Sequence, residues 1–236
     1  MAGITDAEFL NKVIPYGFDA VTLGGYSLDE KTIEASQKII ERGRKEFYFE
    51  LDEIIPHMES EVNKIKEIHP DVRISANVRS INPEPIIEAS KIKNLDIIEL
   101  NCHCRQEEIT SIGCGQEMLK RTDLADFISQ IADNAESEVS VKIRANVGGI
   151  DTLEIAKTIE DAGADYLHLD AMDPNVFDAD WKLLENVCKN TDIKVIGNNS
   201  IDSAEKIKKM YQCGVYGFSI ARAIISGTLN FDISNF

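Results

Sequence analysis

A single-domain (β/α)8 TIM barrel spanning residues 1–236 is the α/β architecture that the sequence predicts. Two observations carry the prediction. Short apolar segments alternate with amphipathic helical stretches along the whole chain. Helix-ending glycines also lead directly into strands, at Gly163 in "EDAGADYLHL" and Gly214 in "YQCGVYGFSI". Repeated βα units of this kind build a parallel sheet. A length of 236 residues suits one large domain with a full core.

Taken in order, strands are expected at "DAVTLGG" (19–25), "VRISANV" (72–78), "LDIIELN" (95–101), "VSVKIRA" (139–145), "ADYLHLD" (164–170), "IKVIGN" (193–198) and "VYGFSI" (215–220). Helical periodicity falls between them, in "LDEKTIEASQKIIERG" (28–43), "QEMLKRTDLADFISQIADNA" (116–135) and "IDSAEKIKKMYQCG" (201–214). A barrel needs one strand more than these, and it is expected before "MAGITD", as a stub or upstream of Met1. No G-x-G-x-x-G follows the first strand, which counts against a Rossmann dinucleotide domain.

Charge narrows the functional classes. The chain carries 25 basic and 41 acidic residues, a net charge of −16. Such a surface repels phosphate backbones and argues against a broad nucleic-acid platform. No apolar run approaches the roughly 20 residues that span a bilayer, and "MAGITDAEFL" lacks the order of a signal peptide. A cytoplasmic protein with no membrane partner is expected. The odd count of 5 cysteines predicts reduced thiols rather than a disulfide framework.

Side chains alternate across a strand, so each strand divides by parity. One parity is aliphatic: Ile74, Ala76 and Val78; Ile98, Leu100 and Cys102; Val139, Val141 and Ile143; Leu167 and Leu169; Val195 and Gly197. In a barrel that face lies under the helices. The opposite parity then aims Asn77, Asn101, Lys142, His168 and Asn198 into one interior, near the C-terminal strand ends where barrels hold their sites. Polar groups gathered there are costly without a ligand or mutual hydrogen bonds. A self-satisfied network is the alternative, with His168 as a core histidine and Lys142 paired to Glu99 or Asp170.

"IIELNCHC" (97–104) ends a buried strand in Cys102, His103 and Cys104. Cys-x-Cys is not the usual C-x₂₋₄-C zinc knuckle and no second ligand pair follows, so no metal site is expected. Cys102 reads as a small core residue, Cys104 as a rim thiol and Cys114 as structural. His57 and His69, in and at the end of a helical pattern, read as solvated.

These segments resemble the flavin-binding barrel of the tRNA-dihydrouridine synthase family. "MAGITDAEF" resembles the family's M-A-G-[VI]-T-D opening; "ELNCHC" with "IGCGQEML" resembles E-L-N-x-G-C-P and G-G-x-G-x-x-L-L. "SVKIR", "YLHLD", "IGNNSID" and "GFSIARA" resemble V-K-[IM]-R, V-H-x-R, N-G-D-I and M-[IV]-G-R-[GA], in the same order over nearly the whole chain. The resemblance implies an FMN-dependent oxidoreductase acting on a C=C or CH–CH bond of a pyrimidine-like ring. It implies that Ala2 and Gly3 give backbone contacts to FMN, that Asn77 and Asn101 lie near the flavin, and that Lys142 and His168 meet its ring edge or phosphate. Asn198, Asn199, Ala221 and Arg222 would cradle the phosphate, and Cys104 would be the proton donor. The relatives it implies are short archaeal proteins.

The chain departs from the family motifs at four places. His103 replaces a glycine, Arg105 a proline and Asp170 an arginine, and "NNS" stands for "NGD". The family's C-terminal helical domain, which grips tRNA, has no counterpart in the sequence. With the acidic charge, this predicts a small-molecule or nucleoside substrate, with tRNA reached only through a partner. A dihydroorotate-dehydrogenase-like enzyme and a non-redox phosphate- or nucleotide-binding barrel are the alternatives. The sequence does not fix the oligomeric state.

Overall fold

The computed structural model describes residues 2–234 and 236; Met1 of the "MAGITD" segment lies outside them. Seven strands form one parallel sheet in chain order: β1 (Ala20–Ser27), β2 (Arg73–Arg79), β3 (Ile97–Cys102), β4 (Glu138–Arg144), β5 (Tyr166–Asp170), β6 (Lys194–Asn198) and β7 (Gly217–Ser219). Every crossover leaves along one edge direction, so each new strand pairs with its predecessor. The connecting helices are α1 (Ala7–Val13), α2 (Glu30–Glu41), α3 (Ile54–Ile68), α4 (Pro83–Ser90), α5 (Glu107–Thr110), α6 (Leu124–Asn134), α7 (Thr152–Asp161), α8 (Trp181–Asn190) and α9 (Ala204–Gln212).

Local chemistry starts several of these helices close behind a strand. Asp29 caps α2 in a reciprocal box with Thr32, and Asp151, Asp180 and Ser203 accept backbone N–H groups at the starts of α7, α8 and α9. Each such cap is worth about 1 kcal/mol. The aliphatic strand parity packs outward beneath the helices, with Ile74, Val78, Ile98, Leu100, Val141 and Leu167 fully buried. Each contributes roughly 1.5–3 kcal/mol of burial. Gly197 sits on this face, where an added Cβ would come within 2.8 Å of Met210 Sδ and 3.0 Å of Val215. No described helix is long and apolar enough to cross a membrane.

The register aligns the polar parity. Asn77 stands opposite Glu99, Asn101 opposite Lys142, Lys142 opposite His168, Asp170 opposite Asn198, and Asn198 opposite Ser219. One interior face thus runs through β2 to β7.

All seven expected strands are present among the described residues, and β7 does not pair with β1, so closure into an eight-stranded barrel is not shown. On the β1 edge, Thr5 makes an antiparallel bridge to Gly24 instead. Near the N-terminal strand ends, the Phe236 ring stands 6.5 Å from Phe218 and 6.4 Å from Tyr211. The structure corrects the sequence reading at three places. The helix expected over 116–135 is broken. A 3-10 turn (Gly115–Lys120) stops where Arg121 takes extended backbone (ψ 135°), and the Arg121 guanidinium is tied to Asp123 and the Ile81 carbonyl. The last strand keeps only three of its six expected residues. Finally, His57 and His69 are half-buried rather than solvated. The His57 ring stacks on Phe49 at 4.0 Å, and burial lowers its pKa.

Candidate active site

Glu99 is the centre of the interior. It is buried, and its carboxylate accepts from Asn77 Nδ2 (2.8 Å), Ser140 Oγ (3.2 Å) and His168 Nδ1 (2.6 Å). Burial pushes this carboxyl up, but His168, Lys142 and the hydrogen bonds outweigh it and hold it well below the usual carboxylate range. Asn101 extends the chain by donating to Asn77 Oδ1 at 2.8 Å, while its own Oδ1 accepts from the Cys104 backbone at 2.9 Å. Burial and the neighbouring Lys142 lower the His168 pKa, so the imidazole is neutral at pH 7. An ionised Glu99 accepts from Nδ1–H, which leaves Nε2 to accept from Ser219 Oγ at 2.6 Å. Asn198 Nδ2 in turn donates to Ser219 Oγ at 2.8 Å. Lys142 Nζ lies 3.1 and 3.3 Å from the two His168 nitrogens, and burial lowers its pKa against the pull of Glu99 and Asp170.

Above this network a cavity of about 830 Å³ opens at the C-terminal strand ends. Lys142, Arg144, Asp170, Asn198 and Ser219 rise into it from the strands; His103, Arg105, Asn199, Ala221 and Arg222 line it from the loops. Asp170 is the rim's counterpart of Glu99. Its carboxylate meets His103 Nε2 at 2.5 Å, Arg144 Nη2 at 3.2 Å and Asn199 Nδ2 at 2.6 Å. Burial raises the Asp170 pKa, and His103, Arg144 and Asn199 more than reverse it. Burial drives His103 the other way, down to about 4.

The loop after β6 is shaped for an anion. Asn199 (φ 113°) and Ser200 (φ 53°) both adopt positive φ. Their backbone N–H groups, and those of Ala221 and Arg222, reach no acceptor among the described residues. Arg222 Nη2 bonds Asn199 Oδ1 at 3.2 Å, and its guanidinium lies over the Phe177 ring at 4.6 Å. Unpaired N–H groups on left-handed backbone beside an arginine form an anion-binding concavity. A phosphate-bearing ligand of flavin mononucleotide size fits both this loop and the cavity volume.

Of the residues singled out in the sequence, Lys142, Asn198, Asn199, Ala221 and Arg222 line this cavity. Asn77, Asn101 and His168 lie in the network beneath it. Cys104, Ala2 and Gly3 are not among the lining residues. Cys104 is half-buried, within electrostatic range of Arg79 and Arg144. Gly3 (φ 68°) is pressed against the backbone of Lys45 and Glu46, where a Cβ would stand 2.6 Å from Glu46 N. Cys102 and Cys114 are fully buried. Among the described residues no group of three or more His, Cys, Asp and Glu side chains could hold a metal ion.

Sequence reasoning missed Arg79, Ser219 and the roles of His103, Arg144 and Asp170. Arg79 shares the parity of Asn77; it is 1% exposed and ion-paired to Glu46, with Nε and Nη1 unpartnered among the described residues. Parity could have found Arg79, Arg144 and Asp170, because each continues an inward series by two residues. Nothing local marks His103 or Ser219.

Comparison with known proteins supplies the context. The dihydrouridine synthase family pattern matches residues 51–227. An uncharacterised protein of Methanocaldococcus jannaschii is 38% identical over 97% of this chain and 88% of its own length. The catalytic subunit of dihydroorotate dehydrogenase B (NAD(+)) from Streptococcus pneumoniae is 30% identical over 77% of this chain; the match spans 62% of that subunit. Among solved structures, phosphoribosyl anthranilate isomerase from Thermus thermophilus superposes with a TM-score of 0.55 at 15% identity, over 94% of this chain and 86% of the other. That last likeness concerns the fold alone.

Proposed function

We propose that this chain, which belongs to the dihydrouridine synthase family, is an FMN-dependent oxidoreductase acting on the C=C or CH–CH bond of a pyrimidine-like ring. The observation that carries the reading is the set of N–H groups at Asn199, Ser200, Ala221 and Arg222 that reach no acceptor among the described residues, opening on the same cavity as Lys142. A phosphate at the loop and a flavin ring toward Lys142 would use both ends of one space. We read the seven strands as the greater part of a (β/α)8 barrel, with its site at the C-terminal rim.

Bound flavin would supply two-electron transfer to or from carbon. This chain's residues would do the rest. Asn199 and Arg222 would hold the phosphate, with backbone N–H groups from both loops. Lys142 would oppose negative charge on the ring edge, with Glu99 and Asp170 favouring its charged form against burial. Glu99 and His168 keep Lys142 in place from below, and Asn77 with Asn101 would offer amide groups to the ring or substrate. The family resemblance gives the carbon-bound proton to Cys104, whose half-buried thiol stands behind Asn101 and outside the cavity lining. Ala2 and Gly3 would approach the same ligand from the β1 side, where Ala2 Cβ stands 3.6 Å from a Cβ built on Gly25.

The substrate we expect is a small molecule or nucleoside in the cytoplasm, with tRNA engaged only through a partner. Similarity to a dihydroorotate dehydrogenase subunit favours a second reading, oxidation of a free dihydropyrimidine acid. Visible absorbance tests the main proposal. The purified chain with FMN should show a bound-flavin spectrum, lost or strongly weakened in Lys142→Ala. A folded wild-type chain with no FMN affinity sinks the flavoenzyme reading and leaves a non-redox binding barrel. Substrate screening against dihydrouridine, dihydrouracil and dihydroorotate then separates the two redox readings.

A further inference from the structure

Three of the departures from the family motifs meet in one place. His103, where the family has glycine, and Asp170, where it has arginine, are 67 residues apart in the chain, yet His103 Nε2 lies 2.5 Å from Asp170 Oδ2. Asn199, of the altered "NNS", donates to the other Asp170 oxygen at 2.6 Å. Arg105, the remaining departure, lines the same cavity.

The protonation of this group follows from its contacts. Asp170 is ionised and accepts, so His103 donates from Nε2–H. Arg144 Nη2, which can only donate, also stands 2.8 Å from this nitrogen, so carboxylate and guanidinium compete for it; the shorter contact, to Asp170, assigns the proton to Nε2, and the Arg144 charge is answered by Asp170 at 3.2 Å. Nδ1 is then the ring's lone-pair nitrogen, and it carries no hydrogen bond among the described residues. The side chain is 25% exposed, on the cavity wall. An imidazole oriented by a carboxylate through one nitrogen and open at the other is the arrangement of a general base.

We propose that His103, positioned by Asp170, is the proton-transfer group of this site, in the place that the family resemblance gives to Cys104. In the oxidative direction Nδ1 takes the proton from one carbon of a CH–CH bond. The hydride from the adjacent carbon leaves to the two-electron acceptor, an oxidised flavin, and the C=C bond forms. The imidazolium produced is opposed first by burial, then by Lys142 and Arg144 from β4, and stabilised by Asp170. The resting ring is therefore neutral and can accept a proton. The proposal rests on the flavoenzyme reading for its reaction, but not for its geometry.

Two measurements test it. The first needs neither flavin nor substrate: ring-¹⁵N NMR of the apo chain, with His103 assigned by its loss in His103→Asn. A neutral ring protonated at Nε2 at neutral pH, converting to imidazolium near pH 4, is expected. Asp170→Asn should redistribute the tautomers. An imidazolium or an Nδ1–H tautomer at neutral pH in the wild type overturns the assignment whether or not FMN binds.

The second is anaerobic flavin bleaching by dihydropyrimidines. His103→Asn should cut kcat about 10²–10⁴-fold, with FMN affinity unchanged and the acidic limb of the kcat profile abolished. Cys104→Ala should cost kcat far less than His103→Asn does. The reverse pattern, a dead Cys104→Ala and an active His103→Asn, returns the role to the thiol. If no flavin binds, the proposed function fails, while the NMR result still decides the dyad.

Discussion

Two acid–imidazole pairs stand in this interior, and they are built to opposite ends. Glu99 and His168 are closed: both ring nitrogens and both carboxylate oxygens are engaged, and each residue is at most 4% exposed. Asp170 and His103 are open: one ring nitrogen has no partner among the described residues, and the ring faces the cavity. The closed pair matches the family motifs, in "ELN" and "YLHLD"; the open pair consists of departures from them. A satisfied buried network specifies where its members sit. Free valence at a cavity wall is where chemistry can happen.

Removing the closed pair's carboxylate should have the largest effect. Glu99→Ala strands His168 and Lys142 in a buried interior and should cost about 3–5 kcal/mol in denaturant unfolding. A loss below about 1 kcal/mol would mean that the inner network is no framework. Arg222→Ala should act on the open region only. It removes a charge-assisted contact worth roughly 1.5–3 kcal/mol, so FMN affinity should fall about 10- to 100-fold by fluorescence titration while the unfolding midpoint stays unchanged. A shifted midpoint with normal affinity would blur the distinction between the two regions.

Acid should reach the pairs in sequence. His103 has a folded-state pKa near 4, below its ordinary 6.5. Between those values the unfolded chain binds the extra proton, so stability declines as pH falls through that window. His57 and His168, also lowered, act in the same sense. Glu99 and Asp170, held below the ordinary carboxylate range, contribute stability that is present at neutral pH and lost only under stronger acid. Thermal melts should therefore soften from about pH 6.5 downward and collapse later, and His103→Asn should flatten the first part.

The smallest expected effect belongs to Phe177, which is 84% exposed beside Arg222. Phe177→Ala should leave stability within about 0.5 kcal/mol. A several-fold loss of FMN or substrate affinity would extend the open region onto this loop.

Much of the inner network was legible before any coordinates, because period-two alternation alone separates the buried aliphatic face from the polar one. Asn77, Asn101, Lys142, His168 and Asn198 were read that way and do converge. The expected phosphate residues Asn199, Ala221 and Arg222 came from resemblance and sit together at the cavity. The break at Arg121 was illegible, since helical periodicity runs straight through it and only the Asp123 and Ile81 contacts divert the chain. Arg79 was overlooked because its partner, Glu46, lies in a loop with no periodicity at all.

By itself the sequence determined which side of each strand faces inward and where helices begin, because alternation and capping are properties of neighbouring residues. Only the tertiary structure decided who meets whom across that interior. His103 follows β3 and Asp170 ends β5, so their contact must pass over β4. It depends on the curl and register of the whole sheet, which no single segment encodes.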